Sequence, residues 1–211
     1  MSKRIAVLVS GGGTNLQALI DAQARGELGG GEIAAVISTK SGAYALERAA
    51  KAGIDGFVLP RKDFESVPAM TAALVKMLQE LKINLVVLAG CMTIFTEELI
   101  EAYPNAIMNV HPALIPSFCG KGYYGLRVHE EALKYGVKVS GATVHFVTEE
   151  CDGGPIIAQE PVAILPGDTP ETLQRRIMEQ GEWIALPRAV ALFCQDRLSV
   201  EGRIVKIKEN V

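Results

Sequence analysis

Three residues of this chain combine into a set able to handle protons: Asn109 and His111 in Met108-Asn109-Val110-His111-Pro112, and Asp152 in Cys151-Asp152-Gly153-Gly154-Pro155. An Asn amide does not titrate at neutral pH, so Asn109 can only hydrogen-bond or position. The His111 imidazole can take or give a proton near pH 7. A carboxylate at Asp152 can orient that ring and raise its pKa. No serine or cysteine nucleophile stands beside Asn109 and His111. The set suits direct group transfer, with Asn109 and His111 stabilising an oxyanion and His111 and Asp152 handling the proton.

Spacing supports the pairing. Asn109 and His111 are two residues apart, so in an extended segment both side chains leave the same face, and Pro112 then ends the strand. The alternatives are a structural histidine at a strand end and an Asp-Gly-Gly segment that is only a turn. Upstream, Ser10-Gly11-Gly12-Gly13-Thr14-Asn15 joins an apolar run to a helical pattern. Glycines let backbone N–H groups approach an anion, and a helix N-terminus adds a favourable dipole. No Walker lysine follows, and Leu16 stands where a dinucleotide fingerprint places its last glycine. A single phosphate, as on a ribose 5-phosphate, fits better than ATP or a dinucleotide; a plain tight turn is the alternative. Gly120-Lys121-Gly122-Tyr123-Tyr124-Gly125 reads as a mobile flap with Lys121 meeting an anion, or as an ordinary surface loop. His129 reads as a surface or structural residue on a helix, and His145 as a partner behind the catalytic set. The three histidines have no metal-binding spacing.

The elements that must position these residues follow from periodicity. Unbroken or alternating apolar runs predict strands over 5–9, 33–38, 56–59, 84–89, 106–110, 139–147 and 155–161. Helical spacing predicts helices over 16–25, 44–52, 70–81 and 128–135. A long one over 172–193 starts near Thr169-Pro170-Glu171 and kinks near Pro187. A hairpin over 198–200 and 203–207 closes the chain. Alternation of strand and helix in the first half predicts a parallel, doubly wound sheet, whose ligands lie beyond the carboxyl ends of its strands. The Ser10–Asn15 loop, Gly90-Cys91-Met92 and Asn109 with His111 all follow strands and should share one cleft. With 211 residues, 49% hydrophobic and 21% charged, the chain can bury a full core. A net charge of -3 argues against a nucleic-acid binder. No apolar run approaches the roughly 18 residues of a membrane span. Four scattered cysteines without a CxxC pair read as reduced thiols in a cytoplasmic protein.

The segments SGGGTNLQALID, VVLAGCMTIF, NVHPALIPSFCGKGYYG, GATVHFVTEECDGGPIIAQ and GDTPETLQRRI together resemble the phosphoribosylglycinamide formyltransferases over nearly the whole chain. The resemblance implies an α/β, Rossmann-like formyltransferase fold, its mostly parallel central sheet flanked by helices on both faces. It implies one domain over 1–211, with a nucleotide- and phosphate-binding half (1–105) and a catalytic and folate-binding half (106–211). The implied reaction transfers the formyl group of 10-formyltetrahydrofolate to the amine of glycinamide ribonucleotide in de novo purine biosynthesis, without a metal.

By matching positions, Asn109, His111 and Asp152 are catalytic. Gly12, Gly13, Thr14, Asn15, Met92 and Glu182 bind the ribonucleotide. Met92, Thr93, Ile94, Phe95, Thr148, Glu149, Glu150 and Cys151 line the folate pocket. Asp152 is expected to keep His111 protonated. Implied partners are small molecules, with no nucleic acid or membrane, and the protein is a monomer or homodimer. The Asn-x-His-Pro and Asp-Gly-Gly-Pro motifs are shared with methionyl-tRNA formyltransferase and formyltetrahydrofolate deformylase. The SGGGTNL loop, and the expectation of neither a tRNA-binding nor a regulatory domain, separate this chain from those two. Some relatives carry arginines where this chain has Val67 and Thr93. Arg61, Lys62 or Lys121 could replace them at the folate's glutamate tail. The alternatives are a formyltetrahydrofolate hydrolase and a non-catalytic folate- or nucleotide-binding module.

Overall fold

The protein is described by a computed structural model that covers residues 2–209. Its first half runs β1 (Lys3–Val9), α1 (Thr14–Ala24), β2 (Gly31–Ser38), α2 (Tyr44–Lys51), β3 (Gly56–Val58), α3 (Val67–Glu80), β4 (Leu85–Leu88), α4 (Glu97–Ala102) and β5 (Ile107–His111). The second half runs α5 (Leu126–Tyr135), β6 (Val139–Phe146), β7 (Ile156–Ala163), α6 (Pro170–Ile177), α7 (Trp183–Cys194), β8 (Leu198–Glu201) and β9 (Ile204–Ile207). All strands join one sheet in the order β3-β2-β1-β4-β5-β6-β7-β9-β8. The first five are parallel to their neighbours, and β6 then pairs antiparallel with both β5 and β7.

Apolar runs form the parallel half because both of its faces are covered. Along β1, Ile5, Val7 and Val9 enter one core with Leu16 and Leu19 of α1, Ala45 and Ala49 of α2, and Leu186 and Val190 of α7. Ala6 and Leu8 face the other way, onto Met70, Leu74 and Leu78 of α3 and Leu99 of α4. Helices therefore cover both faces, as the resemblance implies. The strand over 139–147, read as alternating, is buried from Ser140 to Phe146, because it lies between two other strands.

Three boundaries differ from the sequence reading. Helix α4 was not expected: at six residues it is too short to show a period. Helix α3 starts at Val67, not Met70, because the Ser66 hydroxyl accepts a bond from the Ala69 N–H and Pro68 occupies the first turn. The long helix over 172–193 is two helices separated by a wide π-type turn, Met178–Glu182. The irregularity falls there rather than at Pro187, which lies inside α7. Gly181 lets this turn settle on β6, since a Cβ there would stand 3.1 Å from the Ala142 Cβ.

The two ends of the described chain meet. Lys3 Nζ pairs with Asp196 Oδ1 at 2.8 Å. The next residue, Arg197, exchanges two bonds with Lys208, one from the Lys208 N–H to the Arg197 carbonyl and one from Arg197 Nε to the Lys208 carbonyl, each at 2.8 Å. No helix of the described residues is long and apolar enough to cross a membrane.

Candidate active site

Strand β5 ends on His111, and its period of two sets Asn109 and His111 on one face. Asp152 reaches them from the turn after β6, where its backbone is left-handed (φ 55°). Gly154 makes the approach possible, because a Cβ there would fall on the Phe146 carbonyl oxygen. The Asp152 carboxylate is shared. Oδ1 lies 3.4 Å from Asn109 Nδ2 and 3.6 Å from His145 Nε2. Oδ2 lies 3.5 Å from His111 Nδ1 and accepts the Gly120 N–H at 2.9 Å.

The histidine tautomers follow from their partners. His111 Nε2–H donates to the Phe118 carbonyl at 2.9 Å, which leaves the Nδ1 lone pair facing Asp152. His145 Nδ1–H donates to the Phe146 carbonyl at 2.9 Å, and its Nε2 lies 3.2 Å from Asn109 Nδ2. His145 is the partner behind the set that the sequence suggested.

The expectation that Asp152 keeps His111 protonated is corrected. Burial, with His111 4% exposed, holds the imidazole below its ordinary 6.5 and outweighs the opposing pull of Asp152 and of the Phe118 carbonyl. His111 is thus neutral at pH 7. Burial pushes the Asp152 carboxyl up, but the His145 ring, His111 and the Gly120 amide outweigh it and keep the group ionised.

At the other end of the cleft, Gly13 is the left-handed N-cap of α1 (φ 71°), and no side chain caps the helix. Its first-turn N–H groups are therefore free to face an anion. By contrast, Thr169 and Thr172 form a capping box on α6. Gly12 and Gly13 lie against α2, and the Ala45 N–H donates to the Gly11 carbonyl at 3.2 Å. Asn15 meets Glu182 of the wide turn, Nδ2–H donating to Oε2 at 3.1 Å, while Asn15 Oδ1 is buried without a partner. Burial pushes the Glu182 carboxyl up to about 7 against the opposing Asn15 bond.

Met92, Thr93, Ile94 and Phe95 lie in the irregular stretch after β4, with Met92 and Ile94 exposed at 55% and 79%. The Met92 N–H donates to Ser10 Oγ at 3.0 Å, tying this stretch to the glycine loop. Thr148, Glu149, Glu150 and Cys151 form the turn that carries Asp152. The Glu149 carboxyl beside Glu97 of α4 raises the Glu97 carboxyl.

A cavity of about 480 Å³ opens beside Ser10 and is lined by Thr39, Lys40, Ser41, Arg61, Lys62, Met92 and Thr93. The catalytic trio does not line it, and neither Val67 nor Lys121 does. The 120–125 loop is not simply a flap, since its first residue is bonded to Asp152. His129 is fully buried, and neither ring nitrogen has a partner among the described residues. The sequence reading missed two parts of the site, the Phe118 carbonyl and the Gly120 amide. Backbone groups carry no residue identity, and only the glycines of that loop hint at its geometry.

A fold that brings an amide, an imidazole and a carboxylate together beyond its strand ends can support group transfer. The family model described as formyl transferase matches residues 3–190. Phosphoribosylglycinamide formyltransferase of Haemophilus influenzae is 41% identical over 96% of this chain and 92% of its own length. The crystal structure of glycinamide ribonucleotide transformylase 1 from Symbiobacterium toebii superposes with a TM-score of 0.93 at 45% identity, covering 99% of this chain and 95% of that one. The trifunctional purine biosynthetic protein adenosine-3 of Drosophila pseudoobscura pseudoobscura is 43% identical over 99% of this chain, which spans only 15% of that protein's length. The chain therefore belongs to the formyl transferase family, and within it to the phosphoribosylglycinamide formyltransferases.

Proposed function

We propose that this chain transfers the formyl group of 10-formyltetrahydrofolate to the amine of glycinamide ribonucleotide, a step of de novo purine biosynthesis. The observation that carries the reading is the shared Asp152 carboxylate, which meets Asn109 and His145 through one oxygen and His111 and the Gly120 amide through the other. Asn109 Nδ2, held beside His145 Nε2, turns an N–H from its long 3.4 Å contact with Asp152 to the oxyanion that forms when the amine attacks the formyl carbon. Neutral His111 is the proton acceptor, because its Nδ1 lone pair faces the cleft side occupied by Asp152. Taking the amine's proton makes it an imidazolium, which the ionised Asp152 stabilises and which returns a proton to the departing folate nitrogen.

The first-turn amides of α1, with Gly12, Gly13 and Thr14, hold the substrate phosphate. Asn15 and Glu182 hold the sugar through the unpartnered Asn15 Oδ1 and the Glu182 carboxyl. The pterin lies on Met92–Phe95 and the 148–151 turn. The phosphate loop thus lies in 1–105 and the catalytic trio in 106–211, while both halves contribute to the folate site and Glu182 of the second half reaches the sugar. Thr93 shares its cavity with Arg61, Lys62 and Lys40, so Arg61 and Lys62, rather than Lys121, are the cations for the folate's glutamate tail. No group of His, Cys, Asp or Glu among the described residues is arranged to hold a metal, and no step above requires one.

The test is tetrahydrofolate release by the purified protein with and without the ribonucleotide. Release that depends on the ribonucleotide supports transfer. Equal release without it identifies a hydrolase, and no release identifies a binding module. Replacing Arg61 and Lys62 together with Gln should weaken polyglutamylated folate in a salt-dependent way and leave the monoglutamate within a few-fold. These are exposed contacts worth at most about 1 kcal/mol each.

A further inference from the structure

The proposed phosphate loop contains no cation: Ser10, Gly11, Gly12, Gly13, Thr14 and Asn15 are all neutral. A dianionic phosphate bound to backbone amides alone relies on partial charges. A full positive charge is bonded to the loop from α2. Arg48 Nε–H donates to the Gly12 carbonyl at 2.8 Å, and its Nη1–H donates to Gln17 Oε1 on α1 at 2.9 Å. Its guanidinium carbon stands 5.0 Å from the centre of the Tyr44 ring, which supports the planar group from one side.

The same helix touches the loop through Ala45. A Cβ on Gly13 would stand 2.6 Å from the Ala45 Cβ and 3.5 Å from Arg48 Cδ. Three other arginines pair with carboxylates, Arg25 with Glu27, Arg176 with Asp168 and Arg188 with Glu160, while Arg4, Arg61 and Arg197 bond carbonyl oxygens away from the glycine loop. Arg48 has no carboxylate partner among the described residues, and both of its bonds go to neutral oxygens. Its charge stays uncompensated beside the helix N-terminus.

We propose that Arg48 is the positioning residue of the phosphate subsite, holding the Gly12 carbonyl away from the anion while placing an unneutralised guanidinium beside the α1 amides. This inference rests on the loop's assignment to the ribonucleotide phosphate. A carbonyl turned toward the anion would repel it, so the Nε–H bond sets the orientation of the loop as well as its potential. The planar fork makes both bonds at once, which a lysine ammonium cannot do in the same geometry.

The experiment compares wild type with Arg48→Lys and Arg48→Met. It measures KM for the ribonucleotide and for the folate, and inhibition by inorganic phosphate competing with the ribonucleotide, at low and high salt. Arg48→Met should raise the ribonucleotide KM about tenfold or more and weaken phosphate inhibition in parallel, with the folate KM and kcat at saturation within about two-fold. Arg48→Lys should recover part of the loss at low salt and little of it at high salt. If Arg48→Met does not fold, the lysine variant and its salt dependence carry the test alone. If inorganic phosphate competes in the wild type and both variants keep the ribonucleotide KM, Arg48 has no such role while the loop's assignment stands. If inorganic phosphate does not compete in the wild type, the loop is not a phosphate site and both ideas fall.

Discussion

Asp152 occupies a backbone conformation that few side chains tolerate, and that makes a clean substitution possible. Asn also accepts a left-handed φ, so Asp152→Asn keeps the turn (φ 55°) and removes only the charge. Because Asp152 raises the His111 pKa against the larger effect of burial, its loss should lower that pKa further. An NMR titration of the His111 ring should show the midpoint falling, and kcat should drop at least about a hundredfold. An unmoved midpoint would reduce Asp152 to a turn residue. At this scale much of the site was legible. Two residues at strand spacing, stopped by a proline, announce Asn109 and His111. Residue chemistry pairs Asp152 with them across some forty residues of sequence, and the family resemblance adds its catalytic role. The protonation of His111 was misread, because sequence shows the charged neighbour and not the burial that overrides it. His129, read as a surface or structural residue, is the structural one, since a polar residue in a helical pattern gives no sign of whether it is enclosed and this one is fully buried.

Elements decide how close the substrate can come. The α1–α2 contact leaves no room for a side chain at Gly13, where both the left-handed backbone and the Ala45 methyl stand in the way. Gly13→Ala should raise the ribonucleotide KM much more than the folate KM, and the left-handed residue alone should cost roughly 1–2 kcal/mol of stability. Adding Ala45→Gly removes only the methyl part of the clash, because the Cα of residue 45 would still stand 2.9 Å from the new Cβ, so the double variant should regain a fraction of the ribonucleotide affinity and keep the backbone penalty. Steady-state kinetics with thermal melts separate the two, and equal losses for both substrates would contradict the phosphate role. The strand–helix alternation behind this geometry was readable because each buried strand is an unbroken apolar run. The wide turn at Met178–Glu182 was not, because the apolar period continues through it and the glycine that allows it resembles any helical glycine. That turn delivers Glu182 to Asn15, so the part hidden from periodicity is also part of the proposed site.

Across the whole molecule, two buried groups bend stability in opposite directions with pH. Burial lowers His129 to about 4. The unfolded chain takes up that proton near 6.5 and the native state does not, so stability is full above pH 6.5 and is lost as pH falls toward about 4. Glu182 keeps its proton up to about 7 when folded, against about 4.5 unfolded, so its contribution is full below pH 4.5 and is lost as pH rises to about 7. Each effect is on the order of 3 kcal/mol, and between pH 4.5 and 6.5 they offset. The net slope of the wild type there should be a fall with acid left by His111, whose pKa burial also lowers. Glu182→Gln should expose the acid-side loss and His129→Leu the base-side loss, both readable as denaturant midpoints at several pH values. Parallel curves for all three proteins would refute the balance. The molecule also has a topological freedom that follows from its corner at Asp196-Arg197, which holds Lys3 on one side and Lys208 on the other. A chain whose ends are fastened to one dipeptide is nearly a closed ring. A linker of about six residues, able to span up to roughly 20 Å, should join those ends, and the ring should then reopen at the exposed turn after α5, at Gly136. Such a circular permutant should fold and keep its kcat within a few-fold, because neither the cut nor the splice touches the elements that carry Asn109, His111 and Asp152.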